Sequence, residues 1–132
     1  MIPKFRAWDK EENKMINWEN LGFFKNKNDE DLRVLDLTYF PPKFKDVKLM
    51  QSTNLKDVKG VEIYEGDIVA LKYPYDKRIK TKGSIVLDSY KACFGISMKE
   101  TTERYELYKV TAENYLTVIG NIYENPELLE DK

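Results

Sequence analysis

Val61-Glu62-Ile63-Tyr64-Glu65-Gly66-Asp67-Ile68-Val69-Ala70-Leu71 reads as two short strands joined by a turn. Val61 to Tyr64 alternates apolar and polar residues, the period of a strand with one buried face. Glu65-Gly66-Asp67 supplies the turn: glycine accepts a positive φ, and aspartate binds turn amides through its side chain. Ile68 to Leu71 is a continuous apolar run of the kind found in buried strands. Just upstream, Asp57-Val58-Lys59-Gly60 places Asp first and Gly last, the chemistry of a type I turn. Downstream, residues 83–87, 92–96, 105–110 and 116–122 are further strand candidates, spaced about ten residues apart as in an antiparallel barrel or sandwich. Asn125-Pro126-Glu127 then offers an N-cap, a proline at the first helical position and a first-turn carboxylate, predicting a short C-terminal helix.

The N-terminal part is also extended in character. Lys4 to Trp8 alternates, Asp9 to Lys14 is a polar turn, and Met15 to Trp18 resumes an extended run, which predicts a hairpin. Residues 25–31 form a polar loop. Leu32, Val34, Leu35 and Leu37 fit a short helix and a strand equally, and Pro41-Pro42 ends that element. Val47 to Gln51 reads as another strand. The resulting fold class is mainly β. An N-terminal β-rich extension covers residues 1–55, and a small SH3-like antiparallel β-barrel with a short C-terminal helix covers residues 56–132, its strands lying over roughly 60–125.

Composition narrows the functions open to such a fold. The chain has 132 residues and 42% apolar content, enough for a packed core, and Lys+Arg 22 against Asp+Glu 23 leaves no strong overall field. It contains no histidine, which removes the commonest general base, every Ser–His or Cys–His pair and the commonest metal ligand. A single cysteine, Cys93, excludes an internal disulfide and any cysteine-built metal centre. Flanked by Phe94 and Ile96, it is expected to be a buried, inert thiol. No apolar stretch is long enough for a membrane span and no signal-type h-region is present, so a cytoplasmic protein is expected, with no cofactor.

Few residues carry a chemical suggestion. Glu65 and Asp67 around Gly66 resemble a hard-cation site, but two carboxylates make a poor one, and a structural turn explains them better. The polar residues of Gly120-Asn121-Ile122-Tyr123-Glu124-Asn125-Pro126 are expected to bond the local backbone. Trp8 and Trp18 fall on the two strands of the expected hairpin, with Arg6 on the face of Trp8. They suit either a cross-strand pair or an exposed protein-contact surface. The segment 72–82 is the candidate nucleic-acid site. Lys72, Lys77, Arg78, Lys80 and Lys82 face a single acid, Asp76, beside Tyr73 and Tyr75. An ordinary solvated loop would carry similar charge.

Three blocks together resemble the YopX family, small proteins of bacteriophages and of prophages in low-GC Gram-positive bacteria. They are Lys4-Phe5-Arg6-Ala7-Trp8-Asp9, the run from Leu49 through Asp57 and Gly60 to Val69, and Val118 to Leu128. The resemblance implies a β-barrel-like fold and the cytoplasm of an infected cell. It implies no reaction or ligand, so it carries over no catalytic residue. Asn54 stands where the family pattern usually has Gly, and Asn is the next-best residue for a left-handed backbone. Lys59-Gly60 stands where Asn-Gly is usual.

The expected function is therefore a non-catalytic protein-binding or regulatory module engaging a host or phage protein, with homo-oligomerisation through sheet edges open to it. Nucleic-acid binding through residues 72–82 is the alternative.

Overall fold

The computed structural model describes residues 3–28, 31–72, 80–88, 91–98 and 104–130; for Lys80 only the backbone is described. Among these residues the chain forms twelve strands and one short α-helix, and divides into two units, Met1–Gln51 and Ser52–Lys132. The mainly β class follows directly.

In the first unit, β1 (Phe5–Asp9) pairs antiparallel with β2 (Lys14–Ile16), in register Ala7↔Ile16 and Trp8↔Met15. The expected hairpin is present, but its second strand is shorter than expected. Trp18 lies beyond it, in a single 3₁₀ turn, Trp18–Asn20. Next come β3 (Leu21–Phe24), β4 (Arg33–Asp36) and β5 (Lys43–Lys45), which form a sheet in the order β3-β4-β5. The ambiguity over residues 32–37 resolves as strand, because Val34 and Asp36 alternate inward while their neighbours point away. The core gathers Ala7, Ile16, Leu21 and Val34, with Phe5, Trp18, Phe23, Val47 and Leu49 packed against them.

The ten-residue β6 (Val47–Lys56) begins in the first unit, where Val47 to Gln51 pair with β1, and ends in the second. There Ser52 and Lys56 pair with Tyr64 and Glu62 of β7 (Glu62–Tyr64), across a shift in register. Asn54 sits in this shift at φ 61, so the left-handed backbone expected at that position is present.

The second unit carries an antiparallel sheet in the order β11-β10-β9-β8-β12. Its strands are β8 (Asp67–Lys72), β9 (Lys80–Asp88), β10 (Cys93–Met98), β11 (Arg104–Glu106) and β12 (Leu116–Asn121). Among the described residues no pairing joins β11 to β12. Ile63, Val69, Ile85, Ile96, Met98, Ala112 and Leu116 form its core. Two expectations need correcting here. Residues 105–110 are not one strand: pairing stops at Glu106, and α1 (Lys109–Tyr115) follows. The helix is closed by backbone bonds from the Ala112 N–H to the Tyr108 carbonyl and from the Leu116 N–H to the Ala112 carbonyl, and its one buried side chain, Ala112, joins the core. The expected C-terminal helix is a single 3₁₀ turn, Pro126–Leu129, without a side-chain cap. Asn125 instead turns back, its Oδ1 accepting the Asn121 N–H at 3.2 Å.

The turns behave as their residues suggest. Asp57 is buried, and one carboxylate holds three backbone amides. Oδ1 accepts from Lys59 (2.8 Å) and Val61 (2.9 Å), and Oδ2 accepts from Val118 of β12 at 2.9 Å. Gly66 has φ 86, and buried Asp67 accepts the Tyr64 N–H at 2.7 Å, so Glu65-Gly66-Asp67 has the structural role expected of it. Asn121 Oδ1 accepts from the amides of Tyr123 and Glu124. Cys93 is half-buried rather than buried, because its position on β10 alternates away from the core-facing Phe94 and Ile96.

Candidate functional site

The sheet β3-β4-β5 positions the surface of interest. Its register sets Phe24 opposite Arg33, Phe23 opposite Val34, Gly22 opposite Leu35, and Leu35 opposite Phe44. Alternation then sorts the residues. Leu21, Phe23 and Val34 enter the core, while Phe24, Arg33, Leu35 and Phe44 occupy the outer face. Leu37 leans over Gly22, where an added Cβ would lie only 2.9 Å from its Cδ2. A sheet with one face packed and the other solvated ordinarily turns polar residues outward. Here the outer face exposes 42% of Phe24, 44% of Leu37 and 47% of Phe44. The two rings meet edge-on, with centroids 6.0 Å apart, and the Arg33 guanidinium lies 3.8 Å from the Phe44 centroid. Aromatic and Arg side chains together are the composition enriched at protein–protein contacts.

The core-facing side is fixed by charge. Lys45 is almost fully buried, 3.4 Å from Asp9, 3.5 Å from Glu12 and 3.7 Å from Glu11. Lys14 lies 3.0 Å from Glu12 and 3.1 Å from Asp36. Asp9 and Asp36 are both buried, and each spends its other oxygen on a turn. Asp9 accepts from the amides of Glu11 and Glu12, Asp36 from the amide and hydroxyl of Thr38. Among the described residues the facing ammonium is the partner each remaining oxygen has, Lys45 for Asp9 Oδ2 and Lys14 for Asp36 Oδ2. Above them the Tyr39 hydroxyl donates to Glu12 at 2.5 Å, and the Lys43, Lys14 and Lys45 ammoniums stand 4.2, 5.0 and 5.2 Å from its ring.

The titration of this cluster follows from these contacts. Tyr39, then Lys14, hold the Glu12 carboxyl down to about 2. Glu12, then Asp36, push Lys14 above its ordinary range. Burial acts to raise Asp36, but the Thr38 bonds and Lys14 outweigh it and the net shift is downward. Burial likewise opposes the charge on Lys45, and Asp9 and Glu12 outweigh it. The shifts of Glu12, Lys14, Asp36 and Lys45 all favour the charged form of each group. The network is a clamp that joins the β1–β2 turn to the β4–β5 loop. That loop presents Phe40 fully exposed beside the anchored Tyr39. Among the described residues no cluster of His, Cys, Asp and Glu is arranged to hold a metal ion.

Next to the outer face lies a groove of about 650 Å³, lined by residues 32–34 and 44–49. It shares Arg33 and Phe44 with the exposed face.

The residues singled out from the sequence are dispersed. Arg6 and Trp8 do share a face of β1, but Trp18 packs on the opposite side, with ring centroids 6.4 Å from Phe5 and 6.1 Å from Phe23. The three therefore do not form one surface. Lys72 ends β8, opposite Lys80 in register, and Lys82 pairs with Ala70. Tyr73, Tyr75, Lys77 and Arg78 lie outside the described residues. Sequence reasoning missed Phe24, Arg33 and Phe44, whose proximity depends on diagonal register across β4. The only signal available was the repeated pairing of a bulky ring with a cation in two short segments, Phe24-Lys25 and Lys43-Phe44-Lys45.

Comparison with known proteins agrees with the fold. The sequence matches the family model described as YopX protein over residues 4–130. The crystal structure of protein EF1440 from Enterococcus faecalis is 28% identical and superposes with a TM-score of 0.66, over 98% of this chain and 99% of that one. The X-ray structure of protein yopX from Bacillus subtilis, 23% identical, gives a TM-score of 0.68 over 98% and 97% of the two chains. No curated protein matches the sequence. Among the described residues no helix is long and apolar enough to cross a membrane.

Proposed function

The chain belongs to the YopX family, and from that premise we propose that it is a non-catalytic protein-binding module. It is an accessory protein of a bacteriophage or prophage, acting in the host cytoplasm on a host or phage protein. The observation that carries this reading is the outer face of β3-β4-β5, where Phe24, Leu37 and Phe44 stand exposed with Arg33 laid on a ring. Sheet faces left apolar in this way mark contact surfaces. The second unit belongs to the same reading as an SH3-like scaffold. In support, β8 to β11 are successive antiparallel neighbours, and β12 returns after α1 to pair with β8. Pairing of sheet edges between copies of the chain is open to it as well.

The test is capture on tagged protein from phage-infected host cells, with and without nuclease. A discrete, nuclease-resistant protein is expected, retained by the wild type and lost by Phe24→Ser with Phe44→Ser, both exposed enough to leave the fold intact. A second reading, nucleic-acid binding, is favoured by the register that brings Lys72, Lys80 and Lys82 together at the base of β8–β9. Nuclease-sensitive capture, lost on Lys72→Glu with Lys82→Glu and falling steeply with salt, would replace the first reading with this one.

A further inference from the structure

Resting on the reading of the first unit as a protein-binding module, we propose that the groove beside β5 is the seat of an extended acidic segment of the partner protein. In that segment carboxylates alternate with apolar side chains. The lining separates into two kinds of residue. Leu32, Phe44, Val47 and Leu49 give apolar seats; Arg33, Lys45, Lys48 and Asp46 give charge. Lys45 is consumed by Asp9, Glu11 and Glu12, and Asp46 lies 4.0 Å from Lys10. Arg33 and Lys48 remain. Both are exposed, and among the described residues neither has a carboxylate partner. Among the described residues the groove thus presents two uncompensated cations beside apolar seats, and the complement of that pattern is an acidic, apolar chain.

Arg33 is poised for this role. Stacked 3.8 Å from the Phe44 centroid, its guanidinium is held by a ring already in place. In-plane N–H donors suit a carboxylate, two bonds at once, and a preorganised fork loses less freedom on binding. The volume of about 650 Å³ falls within the range typical of ligand sites. An extended chain also suits the neighbourhood, because β5 borders the groove and among the described residues pairs only with β4. The backbone of such an edge strand can accept one more strand, while pockets select alternate side chains. Nucleic acid fits less well, since its regular phosphates require a run of cations and Asp46 interrupts the lining.

The test is fluorescence anisotropy on the full chain with three labelled probes. The first is an eight-residue peptide alternating Phe or Leu with Asp or Glu. The second is its counterpart with every acid replaced by its amide, and the third a ten-nucleotide oligothymidylate. The acidic peptide is expected to bind saturably and at least about tenfold more tightly than its amide counterpart, with affinity falling as salt rises. Arg33→Gln and Lys48→Gln are each expected to weaken it about threefold or more. Both residues are exposed, and unchanged circular dichroism and tryptophan emission confirm the fold. Equal binding of the two peptides, binding of neither, or tighter binding of oligothymidylate overturns the proposal. If the peptides fail while the Phe24/Phe44 variant still loses a nuclease-resistant partner, the groove is wrong and the module reading stands.

Discussion

Replacing Asp57 by Asn exchanges one oxygen for an amide nitrogen at the point where a turn is tied to β12. In the wild type Oδ1 accepts from Lys59 and Val61 and Oδ2 from Val118, all within 3.0 Å and in a residue only 3% exposed. In Asp57→Asn the amide group must face one of these donors. Facing Val118, it leaves a buried N–H without a partner, costing about 1–3 kcal/mol. The two surviving bonds lose charge assistance, roughly half their strength. With the amide reversed, two donors are lost instead of one. The total is about 2–4 kcal/mol, a large share of the ~5–15 kcal/mol that holds a domain together. Calorimetry should show the melting midpoint falling by about 10 °C. Hydrogen exchange should quicken first at the Val118, Lys59 and Val61 amides. The exposed Asp46→Asn serves as control. A midpoint within about 2 °C of the wild type, with Val118 still protected, would show that Asp57 does not tie the turn to β12.

Three further predictions concern other parts of the chain. Asn54→Gly should stabilise the protein by up to about 1 kcal/mol and Asn54→Val destabilise it by at least as much, because φ there is 61; urea midpoints decide. Gly83→Ala should cost about 1–3 kcal/mol and disturb β9–β10, since its Cβ would lie 2.8 Å from Ile96 Cγ2 and 2.9 Å from the Ser97 carbonyl oxygen. For pH, the Glu12 carboxyl is lowered from 4.5 to about 2, and Asp36 is lowered too. A depressed acid stabilises the fold above its unfolded value, so this contribution is complete above about pH 4.5 and is lost as pH falls toward 2. Tyr39→Phe removes the largest cause and should move the Glu12 titration, followed by carboxyl NMR, back toward 4.5. An unchanged titration in that variant would contradict the assignment.

How much of this was legible from residues alone depends on the length of each element and on the range of its contacts. The turns at Asp57 and Gly66, the left-handed Asn54 and the local bonding of Asn121 were readable, because each is settled within a few residues. Among the longer strands, β1 is readable through alternation, β8 as a continuous apolar run, and β6 only in its first half, Val47 to Gln51. By contrast β3 and β5, four and three residues long, are too short to establish a period. α1 is not legible because Val110 and Thr111 are β-branched and its seven residues bury a single side chain, Ala112, which gives no helical period to read. Trp18 reads as part of a strand from its neighbours, and the 3₁₀ turn carries it to the face of Phe5. The candidate site was the least legible feature. Phe24, Arg33 and Phe44 lie on three different strands, and pairing register is a tertiary property.

The function proposed for this chain rests on the outer face of β3-β4-β5 acting as a protein-contact surface. The most direct measurement is NMR chemical-shift mapping of the labelled chain against the nuclease-resistant partner recovered from infected cells. Perturbations are expected to concentrate at Phe24, Arg33, Leu37 and Phe44, and to be absent in the Phe24→Ser, Phe44→Ser variant. Perturbations confined to Lys72 and Lys82, with the amides of Phe24 and Phe44 unmoved, would contradict that function.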